Sequence, residues 1–276
     1  MLRRYSNSRS FSDNLKLGVF TAVIAGMVNV ASVILFYSFT SNLTGHFAVF
    51  AQEIADGKWF QMLVVFFWII LFFGGSFLSN ILVINSNKRN AFLSHSIPMV
   101  LEILCFVGVG IYGQFFYQET LTETEILVSV LLFSMGLQNG LTASLSNFQV
   151  KTTHLTGLTT DLALHLSMLT KKEYRENQAV VEKTKLMASI MFSYVVGGVV
   201  SGLVIHYFQF QVFYLVSIAM AGVIVYDYVK STLSTKKILK ERVLMREQIS
   251  RLASSALPAR PNGIGQHKRQ SVAESK

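Results

Sequence analysis

One stretch of this chain occurs twice, and the repetition decides the predicted fold. Residues 26–45 read GMVNVASVILFYSFTSNLTG, and residues 136–157 read GLQNGLTASLSNFQVKTTHLTG. Each copy contains Gly-x-x-Asn, with Asn29 in the first and Asn139 in the second, and each ends in Thr-x-x-Leu-Thr-Gly. A glycine pair follows each copy, at residues 74–75 and at 197–198. Three matches in the same order predict an internal repeat.

The composition of the chain is strongly apolar. Hydrophobic residues make up 51% of the 276 residues and charged residues only 14%, whereas average soluble chains carry about 25% charged residues. The mean hydropathy is +0.46. This composition excludes a wholly disordered chain and a collagen-like fibre. The single cysteine, Cys105, excludes an internal disulfide, and no cluster of His and Cys indicates a metal site, so we expect no cofactor.

Six apolar runs divide the sequence. They are Leu17–Phe39, Phe60–Ile84, Ile97–Tyr117, Ile126–Leu145, Leu186–Phe208 and Val212–Val229. As helices they measure about 27–37 Å, which matches a hydrocarbon core of about 30 Å. Backbone groups in lipid need internal partners, so membrane-spanning segments of this kind are helical. The sequence therefore predicts an all-α membrane protein with six transmembrane helices.

The repeat and the six helices together define an organisation. Each half holds three helices, and because three is odd, the second half must cross the membrane in the opposite sense. This predicts two inverted-topology three-helix repeats, an arrangement common in secondary transporters. The predicted segments are a basic N-terminus at 1–16, a first repeat at 17–117, an external loop at 118–125, a second repeat at 126–229, and a basic, partly disordered tail at 230–276.

The charge distribution predicts the orientation. The net charge is +9, and all but one of the 24 Lys and Arg residues, the exception being Lys58, fall in segments that would share one side of the membrane. Positive residues concentrate on the cytoplasmic side. We therefore expect both termini to be cytoplasmic. We then expect the positive residues to lie beside the lipid bilayer and not to bind nucleic acid. The sequence does not decide whether the protein forms a homo-oligomer.

Transporters built from inverted repeats bind substrate near the bilayer midplane, on discontinuous segments. The two Thr-x-x-Leu-Thr-Gly segments are suited to this role, with residues 47–55 and 158–169 re-entering the membrane in part. Gly45 and Gly157 would allow positive φ and close approach to a ligand. The predicted substrate-binding residues are Asn29, Thr40, Thr44, Gly45, His46, Asn139, Thr153, His154, Thr156, Gly157 and Asp161.

The same residues have plainer interpretations. Each motif is also typical of a turn with capping hydroxyls. His154 and Asp161 carry a coupled proton if they lie at membrane depth, or are simply solvated if they lie in a cytoplasmic connection. Asn29 and Asn139 either face a substrate or bond to each other. Glu102, early in the third apolar run, is expected to reach the membrane interface.

Residues 152–161, TTHLTGLTTD, carry a family resemblance together with the paired Thr-Gly motifs. Over about residues 17–229 the chain resembles the YoaK-like family of bacterial inner-membrane proteins, a domain of unknown function. The resemblance implies a multi-helix membrane protein that handles small molecules. The chain departs from the family at Asn29, where an acidic residue is expected, and at His46, where the motif usually continues with Asn.

Three functions are compatible with this reading. The first is a secondary carrier of a small molecule that works by alternating access. The second is a membrane-embedded enzyme with His154 and Asp161 as an acid–base pair, and the third is a scaffold or sensor that signals through its tail. Because motifs for nucleotide binding, serine hydrolysis and zinc catalysis are missing from the sequence, we expect a protein that is not an enzyme.

Overall fold

The long helices of this chain position two shorter ones. The structure is a computed structural model that describes residues 9–85, 91–229 and 245. The chain divides into two units, Met1–Val229 and Lys230–Lys276, and the helices below belong to the first. The predicted basic tail at 230–276, apart from Met245, and the first eight residues of the predicted basic N-terminus lie outside the described residues.

The described part of the chain is built from α-helices and contains no strand. The helices are α1 (Phe11–Phe36), α2 (Leu43–Ala55), α3 (Trp59–Ile84), α4 (Ala91–Phe115), α5 (Leu121–Ser146), α6 (Leu155–Met168), α7 (Lys172–Glu176), α8 (Gln178–Phe208) and α9 (residues 212–229). A 3₁₀ turn at Gln209–Gln211 joins the last two.

Several long helices begin earlier than their apolar runs, and polar caps account for this at α1 and α5. α1 starts six residues before Leu17, because Ser10 and Asp13 form a reciprocal capping box. Thr120 and Glu123 do the same for α5, whose start lies inside the predicted loop 118–125. Capping satisfies free N–H groups with polar side chains, so a reading based on hydropathy misses the polar first turn.

Five helical stretches are long and apolar enough to cross a membrane. They are Phe11–Phe36, Trp59–Ile84, Phe92–Phe115, Leu121–Ser146 and Gln178–Val229. The last counts as one stretch of 52 residues, although it contains the 3₁₀ turn and Gln209 has a φ of 41°. The prediction of an all-helical membrane protein is confirmed, and by length and composition the structure gives five candidate spans.

Helices α1 and α8 pack with almost no space between their backbones. A Cβ atom on Gly26 would lie 2.0 Å from the carbonyl oxygen of Tyr194, and one on Gly197 would lie 2.1 Å from that of Val23. Small residues of this kind allow close helix approach in membranes. In the first half of the chain, therefore, the Gly-x-x-Asn motif fixes the contact of α1 with a helix of the second half.

The same contact joins α3 to α5. A Cβ atom on Gly136 would lie 2.2 Å from the carbonyl oxygen of Phe72, and one on Gly75 would lie 2.2 Å from that of Phe133. In both helix pairs each glycine faces the carbonyl three residues before its partner glycine. Gly26 thus corresponds to Gly136, and Gly197 to Gly75.

The direction of the helices follows from contacts at their ends. Asn14 at the start of α1 donates to Gln149 just after α5, at 2.7 Å. At the other end, Phe36 and Tyr37 border the same cavity as Leu121 at the start of α5. α1 and α5 are therefore antiparallel.

Glu102 does not lie at an interface, contrary to the expectation from sequence. Its side chain has no solvent exposure, and neither carboxylate oxygen has a hydrogen-bond partner among the described residues. It is the twelfth residue of α4, a candidate spanning helix. It therefore lies near the middle of that helix.

The neighbouring glycines of α3 provide a matched test of the α3–α5 contact. Gly75→Ala should lower the free energy of unfolding by about 1–3 kcal/mol, because the new methyl group forces two backbones apart. Gly74→Ala should be neutral or stabilising by up to about 1 kcal/mol, since a Cβ there meets no atom within 4 Å and alanine favours helix. Unfolding of the purified protein in detergent measures both. Equal stability of the two variants would contradict the close contact.

Candidate functional site

The two repeated motifs each form the start of a short helix that follows a long one. α2 follows α1 after a turn in which Tyr37 has a φ of 53°, and α6 follows α5 after a turn in which Asn147 has a φ of 51°. Each short helix is about 20 Å long, less than the thickness of a hydrocarbon core of about 30 Å. We call α2 and α6 the half-helices.

Hydrogen bonds to Asn29 of α1 hold the turn that precedes the first half-helix. The Oδ1 atom of Asn29 accepts hydrogen bonds from the Thr40 N–H at 3.0 Å and from the Ser41 Oγ at 3.1 Å. Asn29 precedes the end of α1 at Phe36 by seven residues, or about 10 Å. The chain therefore turns back along α1 before α2 begins.

The other side of the Asn29 amide is also occupied. Its Nδ2 atom donates to the hydroxyl of Tyr194 on α8 at 2.8 Å. Tyr194 lies one turn before Gly197, so the close contact of α1 and α8 brings this hydroxyl to the amide. Every polar atom of the Asn29 side chain thus has a partner, and the amide joins α1, the turn and α8.

The second half-helix is held by Asn139 in the corresponding way. Its Oδ1 atom accepts a hydrogen bond from the Thr153 Oγ1 at 2.8 Å, and Asn139 also lies seven residues before the end of its helix at Ser146. The Nδ2 atom of Asn139, however, is buried and has no partner among the described residues. Phe72 occupies the position on α3 that Tyr194 occupies on α8, and phenylalanine has no hydroxyl to offer.

The half-helices differ in their caps. The side chain of Asn42 accepts a hydrogen bond from the Gly45 N–H at 3.2 Å, whereas His154 at the start of α6 makes no side-chain cap. The first N–H groups of a helix have no partner within that helix. In the described part of the structure, the N–H groups of Leu155, Thr156 and Gly157 have no acceptor elsewhere either.

The first turns of both half-helices border one cavity of about 160 Å³, which we call the central cavity. Its walls are residues 41–44 of the first motif, residues 153–157 of the second, and Phe72. The wall thus contains hydroxyls, an amide, an imidazole and the positive ends of two helix dipoles. No acidic residue is part of it.

A larger cavity of about 450 Å³ adjoins the central cavity, and Asn42 borders both. His46 lies in this second cavity. Its Nε2 atom is 2.8 Å from the carbonyl oxygen of Phe39, and its ring meets Trp68 edge to face, with 5.5 Å between the ring centres. These contacts fasten α2 to the preceding turn and to α3.

The structure brings many of the predicted site residues together. Those that border the central cavity are Thr44, Thr153, His154, Thr156 and Gly157. Asn29, Thr40 and Asn139 lie behind the wall, as the anchors described above. Gly45 and His46 face the larger cavity, and Asp161 borders neither. The asparagines do not bond to each other, because each is engaged with its own turn.

The sequence-based prediction of positive φ at Gly45 and Gly157 is wrong. Both lie inside helices, and Gly57 is the one glycine with positive φ in the described ranges. Gly45 packs against Asn42, and a Cβ on Gly157 would meet no atom within 4 Å. The lack of a side chain at Gly157 therefore leaves room in the central cavity.

His154 and Asp161 are not placed as an acid–base pair. His154 precedes the first residue of α6 and Asp161 is seven residues further on, about 10 Å along the helix axis. The Asp161 carbonyl oxygen lies 2.8 Å from the Nδ1 of His165. Of His154 and Asp161, only His154 borders the central cavity.

Sequence reasoning missed Ser41, Asn42, Phe72 and Tyr194. The first two belong to the first motif, at the positions of Thr153 and His154 in the second. The last two lie three residues before Gly75 and Gly197, which belong to the two glycine pairs. Extending the alignment of the two halves by one helical turn would have found them.

Burial acts on both histidines of the half-helices. Removal from water lowers the pKa of His46, and the bond to the Phe39 carbonyl only partly offsets this. Partial burial likewise lowers the pKa of His154, and the positive charge of Lys151 adds to the effect. Both shifts favour the neutral imidazole over the charged one.

Long apolar helices, two half-helices and a polar cavity between them define an integral membrane protein. The chain belongs to the family described as "Protein of unknown function (DUF1275)", whose sequence profile matches residues 17–226. The YoaK-like resemblance is consistent with this family. No curated protein matches the chain, and no solved structure does.

The lowered histidine pKa values predict a loss of stability in acid. An unfolded histidine titrates near pH 6.5, so as the pH falls below this value the unfolded chain binds protons that the native protein does not. The unfolding temperature should therefore fall from pH 7.5 to 5.5, and fall less in a His46→Gln, His154→Gln double variant. His206→Gln, at an exposed position, is the control. An unchanged pH dependence in the double variant would contradict the assignment.

Proposed function

We propose that this protein is a secondary carrier of a small polar molecule and that the central cavity is its substrate site. The observation that carries the proposal is the meeting of the two half-helix N-termini at one cavity. Discontinuous helices of this kind supply the substrate sites of secondary transporters, where their dipoles and free backbone groups contact the substrate. A purely structural turn does not require a second, corresponding turn to face it.

The corresponding contacts of the two halves support an inverted repeat. α1 meets α8 and α3 meets α5 through corresponding glycines, and the two anchoring asparagines each lie seven residues before a helix end. The 52-residue stretch would extend about 78 Å as one helix, far more than a membrane of about 30 Å. The 3₁₀ turn at Gln209–Gln211 is a suitable boundary between a fifth and a sixth span.

The orientation follows from the positive residues. With both termini cytoplasmic in a bacterial inner membrane, α2 enters from the outside and α6 from the cytoplasm. In the proposed cycle the two repeats rock about the central cavity, so that one half-helix at a time controls access. No catalytic step is assigned to the site, because His154 and Asp161 are two helical turns apart.

His154 is the proposed carrier of a coupled proton. It borders the central cavity and is neutral when the site is empty, so a bound substrate with negative charge would favour its protonation. Asp161, the alternative from sequence, does not border the cavity. The scaffold alternative draws support only from the tail, which lies outside the described residues.

The room left by Gly157 gives a test of the substrate site. A panel of small metabolites is first screened for stabilisation of the purified protein, where a ligand at a hundred times its dissociation constant adds about 2.7 kcal/mol. Uptake of a stabilising compound is then measured in proteoliposomes. Gly157→Leu should abolish both binding and uptake while leaving the unfolding temperature of the empty protein unchanged.

Gly222→Leu is the matched control, because Gly222 is exposed like Gly157 and a Cβ there also meets no atom within 4 Å, but the residue lies on α9 and does not border the central cavity. It should retain full uptake. A compound whose binding Gly157→Leu abolishes, but which the wild-type protein does not carry across the membrane, would overturn the carrier proposal and favour a sensor. Full uptake by Gly157→Leu would remove the cavity from the mechanism.

The coupling proposal has its own test. Wild-type uptake should increase as the external pH falls from 7.5 to 5.5, and His154→Gln should lose this dependence. Asp161→Asn, which changes a titratable group outside the cavity, should keep it. A pH response retained by His154→Gln and lost by Asp161→Asn would reverse the assignment.

A further inference from the structure

A cavity of about 320 Å³ lies where α1 and α8 begin and where the chain leaves α5. We call it the basic cavity. Its wall combines two positive side chains, one carboxylate and two large apolar side chains, which are those of Arg9, Lys183, Glu182, Phe11 and Leu186. None of these residues borders the central cavity, so the two cavities are separate sites.

Hydrogen bonds hold the Arg9 guanidinium in place at this cavity. Its Nε donates to the Oδ1 of Asn14 at 2.8 Å, and its Nη2 donates to the carbonyl oxygen of Asp13 at 3.0 Å. The buried amide of Asn14 donates in turn to Gln149 at 2.7 Å, and both amides also border the cavity. Because a side chain that is already held loses less freedom on binding, this arginine is preorganised for an anion.

Lys183 supplies the second positive charge from α8. Its side chain is exposed and forms no hydrogen bond or ion pair with the described residues. The neighbouring carboxylate of Glu182 accepts a hydrogen bond from the Nε2 of Gln178 at 3.0 Å. With Arg9, these two side chains leave one net positive charge in the wall, which favours a ligand with a single negative charge over a dianion.

The basic cavity lies at the level where the apolar segment of α8 begins. Leu186 is the first residue of the fifth apolar run, and Lys183 precedes it by one helical turn. Phe11, the first residue of α1, adds an aromatic ring to the same wall. Positive groups beside apolar side chains match a phospholipid, in which the phosphate adjoins the acyl chains. Basic pockets between membrane-spanning helices bind such anionic headgroups.

We infer that the basic cavity binds one anionic phospholipid of the phosphatidylglycerol type. Its phosphodiester carries one negative charge, which Arg9 and Lys183 neutralise through charge-assisted hydrogen bonds. The glycerol hydroxyls donate to the carboxylate of Glu182, and the upper acyl chains contact Phe11 and Leu186. Phosphatidylethanolamine is disfavoured because its net charge is zero. Phosphatidic acid is disfavoured because a phosphate monoester carries about −1.5 to −2 at neutral pH. This inference does not depend on the proposed carrier function.

The test adds phosphatidylglycerol, phosphatidylcholine and phosphatidylethanolamine in turn to the full-length protein in an uncharged detergent. Thermal stabilisation gives the relative affinities, and native mass spectrometry counts the bound lipids. Phosphatidylglycerol should stabilise the protein with one lipid retained, and the two zwitterionic lipids should bind at least about tenfold more weakly. Equal binding of all three lipids would overturn the inference.

Two soluble compounds distinguish a lipid from a free anion. Glycerophosphoglycerol is the same headgroup without acyl chains, and inorganic phosphate is the anion alone. Both should bind much more weakly than the lipid, since neither contacts Phe11 or Leu186. Binding of either compound as tight as that of phosphatidylglycerol would overturn the lipid assignment in favour of a soluble ligand.

Two lysines of α8 give a matched pair of variants. Lys183→Gln should weaken phosphatidylglycerol binding about tenfold, because it removes a charged donor from the wall. The protein should fold normally, since this side chain makes no contact of that kind in the described structure. Lys185→Gln removes the same charge at an exposed position outside the wall, and its affinity should stay within about threefold. Equal losses in the two variants would overturn the cavity site in favour of a diffuse attraction.

Glu182→Gln tests the match of charge. Glutamine retains an acceptor for Gln178 but leaves two net positive charges in the wall, so phosphatidic acid should gain about tenfold in affinity relative to phosphatidylglycerol. An unchanged ratio would overturn the choice of a monoanion. Gly157→Leu should bind phosphatidylglycerol as the wild type does, whatever its effect on uptake. Loss of lipid binding in that variant would refute the separation of this site from the central cavity.

Discussion

The site depends on hydrogen bonds to a non-helical backbone that runs back alongside the long helix it has just left. Inside a bilayer, non-helical backbone persists only where protein or water covers its polar groups. Asn29 provides this cover in the first half, since its Oδ1 accepts from the Thr40 N–H and its Nδ2 binds the Tyr194 hydroxyl. Without such an anchor the turn before α2 would have to lie at the membrane surface, and no half-helix would reach the cavity.

The hydrogen bonds of the anchoring asparagines depend on the close glycine contacts between the long helices. Gly26 and Gly197 let α1 and α8 approach until backbone atoms touch, and Tyr194 reaches Asn29 only because of that approach. The second half repeats the packing through Gly75 and Gly136, so its amide lies in a corresponding place. The tight helix pairs therefore position the half-helices, although no residue of the glycine contacts except Phe72 borders the central cavity.

Much of this architecture could be predicted from the sequence, and the same reasons explain which features could not be predicted. Apolar runs identify long helices because lipid exposure is a property of composition, and the repeated motif located both half-helices. The direction in which a side chain faces depends on its packing partner. His46 packs against Trp68, Asp161 does not border the cavity, and Gln209 interrupts a helical stretch. None of these follows from residue type or spacing.

One difference between the halves concerns how completely each anchoring asparagine is hydrogen-bonded. The Asn29 anchor is complete, so the first half-helix is fixed without a ligand, whereas Phe72 in place of a tyrosine leaves the Asn139 amide with a free donor. In the proposed carrier this asymmetry has an energetic consequence. The turn before α2 is held by more hydrogen bonds to its asparagine than the turn before α6, so the second half-helix is the less firmly anchored of the two. Two halves of corresponding geometry can then respond differently to the same substrate, as alternating access to one site requires.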